Sequence, residues 1–224
     1  RFGADPANIV IFPWGVDLEV FSPQAGIAKG KELRHQLGWG EQFVILGTRT
    51  WEPMYGMDVL AEAFVMAAAK EPQLRLILVG QGSQEQKIRA ILQEGGVIDR
   101  VWFAGRVEQA DLPGFYCAAD LYVSPSHVDG SSISLLEALA CGRPVLVSDI
   151  PGNQEWVEEG ETGWLFEDYD ESSLAGKLHE VIHSKELEKM SLNGRHLVQE
   201  KADWNKSVHT LNQAYEKLVK RNKR

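Results

Sequence analysis

Little cysteine, a shortage of positive charge and the lack of any long hydrophobic run set the first limits on this chain. Its 224 residues include two cysteines, Cys117 and Cys141. Both lie in apolar stretches read as helical, without metal or redox spacing, so they are read as small core residues in a reducing compartment. No apolar run is long enough to span a membrane, and no signal peptide precedes residue 1, which makes the cytoplasm the default location. Thirty-two acidic residues against 23 basic ones leave a formal charge of -9. That balance argues against nucleic acid or an anionic membrane as a partner for the body of the domain. One exception is local: residues 217–224 carry five basic side chains, read as favourable charge at a helix end followed by a solvated tail. Peripheral membrane contact of a longer protein stays open on that account. There is no internal repeat and no low-complexity segment, and the sequon Asn205-Lys206-Ser207 has no meaning in the cytoplasm.

What is present is ordinary globular material, 44% hydrophobic and 25% charged, enough for one large core. Short apolar runs read as strands over residues 9–13, 43–46, 74–79, 101–104, 121–123, 145–147 and 163–166. Helical patterns read over 57–70, 85–92, 112–117 and 133–141, with a helical turn near Glu155. Strand and helix in alternation predict an α/β Rossmann-like parallel sheet covered on both faces. After residue 170 the pattern is helical only, over 173–183, 187–200 and 204–220. Residues 1–23 read as a linker element with the first strand, 24–200 as the ligand-binding domain, and 201–224 as a closing helix with a basic tail.

Ligands of such sheets bind outside the carboxyl ends of the strands. Arg49, Gly80-Gln81-Gly82, Gly105-Arg106-Val107 and residues 124–132 and 148–152 fall there. Gly80-Gln81-Gly82 is half of a dinucleotide fingerprint whose third glycine position is Glu85, and a tight turn accounts for it. Residues 124–142 carry the most chemistry: a strand stops at Ser-Pro-Ser, a loop brings Asp129-Gly130-Ser131-Ser132, and a helix apolar almost all round holds Glu137 in its middle. A buried carboxylate is costly unless paired. At helical spacing Gly130, Ser134, Glu137 and Cys141 share one small, polar face. One reading has Asp129 or a serine capping the helix and Glu137 meeting a buried amide. The other has the free helix-start amides taking an anion while two carboxylates eight residues apart take hydroxyl groups. A sugar nucleotide supplies both.

This segment resembles the E-x(7)-E signature of the retaining GT-B-fold glycosyltransferases related to glycogen synthase and sucrose-phosphate synthase, the family-four type. Asp129 stands at the first glutamate and Glu137 at the second. Residues 11–23, with Trp14 in place of the usual asparagine, resemble the element joining the acceptor domain to the donor domain, which implies that an N-terminal acceptor half belongs before this chain. Phe103-Ala104-Gly105-Arg106-Val107 matches the F-x-G-x-V turn whose backbone faces the nucleobase. The resemblance covers nearly the whole chain. It implies a nucleotide-sugar donor domain of a hexosyltransferase that needs no metal or other cofactor. In it Arg49 and the amides of Gly130 to Ser132 stabilise the departing diphosphate, Asp129 faces the sugar and Glu137 holds the ribose diol. The family's second phosphate-gripping cation, a lysine six residues after the arginine, is Tyr55 here. A phenol can still hydrogen-bond a phosphate oxygen, so a binding-only module, and an epimerase of the same fold, stand beside transfer as alternatives.

One motif points elsewhere. His179-Glu180-Val181-Ile182-His183 fits the H-E-x-x-H zinc-protease pattern. Leu174, Leu178, Val181 and Ile182 form the buried stripe of that helix and leave the histidines at its margin. No downstream third-ligand motif follows, so zinc catalysis is not expected.

Overall fold

The structure, a computed structural model, describes residue 6, residues 9–12 and residues 14–221. Six parallel strands build it: β1 Phe43–Gly47, β2 Leu74–Val79, β3 Val101–Gly105, β4 Leu121–Ser124, β5 Val145–Ser148 and β6 Trp164–Phe166, in the spatial order β3-β2-β1-β4-β5-β6. The order reverses between β1 and β4, so the connections out of these neighbours leave a crevice at their carboxyl ends.

Each buried strand sends alternate residues to opposite faces, and both faces are covered. Ile45, Leu76, Leu78 and Val123 pack against α2 (Met57–Ala68), α3 (Glu85–Glu94) and α7 (Glu171–Ile182). Val44, Leu46, Ile77 and Tyr122 pack against α1 (Pro23–Leu37), α4 (Leu112–Ala118), α5 (Ile133–Ala140) and α8 (Leu187–Lys201). Strands buried on both sides need continuous apolar sequence, which is why the parallel sheet was readable from runs rather than from alternation. The one-turn helix α6 (Pro151–Gln154) follows β5, and α9 (Trp204–Arg221) closes the described chain.

One expectation is corrected and one element is added. Residues 9–12 form no strand, and Ile11 is 91% exposed: an apolar run becomes a strand only where a sheet edge can take its backbone hydrogen bonds. Position 13 and residues 222–224 of the basic tail lie outside the described residues. The linker is instead pinned at Val16, whose N–H donates to Ala202 O (2.8 Å) and whose carbonyl accepts from Trp204 N (3.1 Å). Helix α1 was not anticipated. Ser22 caps it and Pro23 opens it, but its buried face is carried largely by Gly26 and Gly30. A Cβ on Gly26 would stand 2.2 Å from Pro113 O, and one on Gly30 2.7 Å from the Cys117 backbone. The helix lies backbone to backbone on α4, so the expected apolar periodicity is replaced by absent side chains.

Of the two cysteines, Cys141 is fully buried and Cys117 half-buried, both with free thiols. Among the described residues no helix is long and apolar enough to cross a membrane.

Candidate functional site

The crevice at the switch point opens into a cavity of about 390 Å³, within the usual span of small-molecule sites. Thr48, Arg49 and Thr50 enter it from the turn after β1, Tyr55 from the segment before α2, and Asp129, Ser131, Ser132, Ser134 and Glu137 from the loop after β4 and the first turns of α5.

Arg49 organises this lining. Its Nη2 meets Asp129 Oδ2 at 2.7 Å, and Nη1 donates to Ser132 Oγ (2.9 Å) and Ser134 Oγ (3.0 Å). Both charged side chains are nearly buried, 12% and 13% exposed, so the attraction is screened far less than at a surface. The guanidinium carbon stands 4.4 Å from the centroid of the Tyr55 ring, the geometry of a cation held over an aromatic face. Arg49 Nε is buried without a hydrogen-bond partner among the described residues.

Glu137 is buried, 6% exposed. Burial lifts its carboxyl to about 7, against the lowering effect of the hydrogen bond from Tyr116. Tyr116 Oη donates to Glu137 Oε2 at 2.8 Å. Burial first, and then the Glu137 charge, push that phenol well above its ordinary value, so it stays a neutral donor. The carboxylate therefore meets a side-chain hydroxyl, not a buried backbone amide.

The capping reading holds for one serine: Ser132 Oγ accepts from Leu135 N at 3.3 Å. The same hydroxyl takes the Arg49 bond, so cap and site share an atom. The Asp129–Gly130 loop is held from below by α6. A Cβ on Gly152 would lie 2.1 Å from Asp129 O, which restricts that position to glycine. Further back in the loop, His127 Nδ1 pairs with Asp168 Oδ1 at 2.7 Å and its ring stacks on Tyr169, centroids 3.6 Å apart.

Arg49, Tyr55, Asp129, Ser131, Ser132 and Glu137 are thus brought together as the sequence reading proposed, with the exposed Gly130 in the same loop. Arg106 and Val107 are not part of this cavity. They follow the edge strand β3, Arg106 exposed and Val107 packed on the core, two strand spacings or about 10 Å from β1. Ser134 and Tyr116 were missed as site residues. Ser134 was legible as the residue three before Glu137 on its polar face; Tyr116 reaches the site only through tertiary packing.

His179 on α7 and His183 at its C-cap are exposed while Leu174, Leu178 and Val181 are buried and Ile182 is half-buried, as their spacing predicted. A carboxylate that the downstream sequence does not offer comes instead from upstream. Glu71, far upstream, meets both imidazoles. Glu180 pairs with Lys177 at 3.1 Å.

A family model described as "Glycosyl transferases group 1" matches residues 30–197. A D-inositol 3-phosphate glycosyltransferase of Thermomonospora curvata is 31% identical over 189 residues, 79% of this chain and 44% of that protein. A phosphatidyl-myo-inositol mannosyltransferase of Mycobacterium leprae is 29% identical over 219 residues, 97% of this chain and 55% of that protein. Among solved structures, sucrose-phosphate synthase from Thermosynechococcus elongatus superposes with a TM-score of 0.84 at 28% identity, covering 94% of this chain and 52% of that one. The Anabaena protein HepE in complex with UDP-glucose gives 0.81 at 25% identity, covering 92% and 56%. The chain spans about half the length of the curated relatives it matches.

Proposed function

The chain belongs to the group 1 glycosyl transferases, and from that premise we propose that it is the nucleotide-sugar donor half of a retaining GT-B hexosyltransferase whose acceptor half precedes it. The observation that carries this reading is that Arg49, from the turn after β1, and Asp129, Ser132 and Glu137, from the loop after β4 and from α5, line one and the same cavity. A sugar nucleotide spans these groups in order. Glu137 accepts from the ribose diol, Arg49 forks onto the diphosphate with the amides of Gly130 to Ser132, and Asp129 turns to the donor sugar's hydroxyls. Arg106 and Val107 flank the nucleobase through their backbone. Tyr55, seated on Arg49, orients the guanidinium and offers its hydroxyl to a phosphate oxygen. As the glycosidic bond to the diphosphate breaks, negative charge grows on the leaving oxygen, and Arg49 stabilises it without a metal ion. We place the full protein in the cytoplasm.

Calorimetry of the chain against UDP, GDP and ADP and their sugars tests this reading. One nucleoside diphosphate is expected to bind weakly, with no transfer, because an open half-cleft leaves the donor wetted. No heat from any of them would overturn the assignment. The binding carries a pH signature. Glu137 accepts ribose hydroxyls best as the carboxylate, and its value of about 7 leaves it mostly protonated at pH 6 and mostly ionised at pH 8. Affinity is expected to rise by about tenfold across that interval, and a flat profile in which Glu137 titrates elsewhere would contradict the role given to it.

Asp129→Asn separates sugar from phosphate. In the free protein Asp129 competes for the guanidinium that the diphosphate needs. The variant is therefore expected to bind the free nucleoside diphosphate more tightly and the sugar nucleotide less tightly. Equal weakening of both would remove Asp129 from the sugar.

A further inference from the structure

The H-E-x-x-H helix meets a carboxylate that the sugar-transfer reading does not use. Glu71 lies between α2 and β2, three residues before the first residue of β2. It therefore sits at the amino edge of the sheet, a strand's length from the donor cavity at the carboxyl edge. His179 Nδ1 lies 2.5 Å and His183 Nε2 2.9 Å from the same oxygen, Glu71 Oε1. The three side chains offer ligand atoms that all fall within 4.8 Å of one another. Glu71 is 4% exposed, whereas the imidazoles are 55% and 58% exposed.

We propose that Glu71, His179 and His183 form a binding site for a divalent transition-metal ion of the zinc class, with a fourth position open to solvent. Two imidazoles and one carboxylate oxygen are a ligand set that zinc takes readily. The histidines are four residues apart on one helix face, which brings their rings to 4.9 Å between centroids. Tetrahedral ligation with metal–ligand distances of about 2.1 Å separates ligand atoms by roughly 3.3 Å. The observed 2.5 and 2.9 Å separations need to open by less than about 1 Å, within reach of exposed rings turning about their side-chain bonds. The carboxylate is already oriented: Gln73 Nε2 donates to Glu71 Oε2 at 2.7 Å, leaving Oε1 as the ligand oxygen in the manner of an outer-shell partner. The ion would staple the C-terminal turn of α7 to the segment joining α2 to β2. A hydrolytic centre does not follow, because Glu180, the residue that would activate water, is paired with Lys177.

The test uses the chain purified without a histidine tag, stripped with a chelator and titrated with Zn²⁺ by calorimetry. Co²⁺ absorption serves as an independent reporter of tetrahedral ligation. One equivalent is expected to bind and to raise the melting temperature. His179→Ala and His183→Ala, both at exposed positions, should each weaken zinc by more than about tenfold, and Gln73→Leu by roughly 10 to 100-fold. Nucleoside diphosphate binding should not change in His183→Ala. No saturable zinc uptake by the native chain, or a loss below about tenfold in either histidine variant, overturns the proposal.

Discussion

Replacing Glu137 with glutamine is expected to stabilise the ligand-free domain by about 3 kcal/mol at pH 8 while weakening nucleoside diphosphate binding by about 1.5 to 3 kcal/mol. The first effect follows from linkage. Burial lifts this carboxyl from an ordinary 4.5 to about 7, so the folded chain holds its proton more tightly than the unfolded chain does between those values. Stability therefore falls as pH rises through this window, and the whole penalty is present above the folded value. Glutamine keeps the volume and can accept from Tyr116 Oη, but it has no charge to desolvate. At pH 5 the gain should shrink to under about 1 kcal/mol. The second effect has the opposite sign because the same charge strengthens two hydrogen bonds to the proposed ribose diol. Urea unfolding at pH 5 and pH 8, paired with calorimetry, measures both. If the variant were no more stable than the native chain at pH 8, Glu137 would not be a buried, energetically costly carboxylate, and the case for a functional reason to keep it would fall.

Arg49→Ala is expected to cost about 3 kcal/mol of stability, the range for breaking a buried ion pair, and to abolish measurable diphosphate binding. The arginine satisfies Asp129, Ser132 and Ser134 at once, so its loss leaves a carboxylate 13% exposed without its counter-charge. Removing both partners, in Arg49→Ala with Asp129→Ala, should restore most of the stability because no orphaned charge remains. It should not restore diphosphate binding, which needs the fork itself. The residual affinity of Arg49→Lys should be strongly salt-dependent, as a point charge is screened more readily than a two-point grip. Affinity for the nucleoside without phosphates should be untouched by all three variants. A double variant as unstable as Arg49→Ala would show that the arginine acts through packing, not through its pair with Asp129.

The order of strands and helices from residue 43 onward was written locally. Runs such as Leu-Arg-Leu-Ile-Leu-Val in β2 and the helical spacing of α2 need no partner to be recognised, because hydrophobic period and length are properties of neighbouring residues. The positions of Arg49 and Asp129 after strand ends, and of Glu137 on the helix that follows, were legible for the same reason. That these ends converge also followed, since parallel strands in a wound sheet present all their carboxyl ends on one edge. What could not be read was who holds whom. Arg49 and Asp129, 80 residues apart, were each assigned a ligand, yet in the free protein each is the other's partner. Tyr116 joins Glu137 only because α4 and α5 pack on the same face of the sheet, and Glu71 joins His179 only because α2 and α7 pack on the other. Helix α1 shows the limit most plainly, since its contact with α4 is made by the absence of side chains at Gly26 and Gly30. Local pattern determines which segments become strands or helices and which end of the sheet carries the chemistry. The pairing of charges, the burial that shifts Glu137 and the close approach of α1 to α4 depend on distances between segments remote in sequence, and only the tertiary structure decides them.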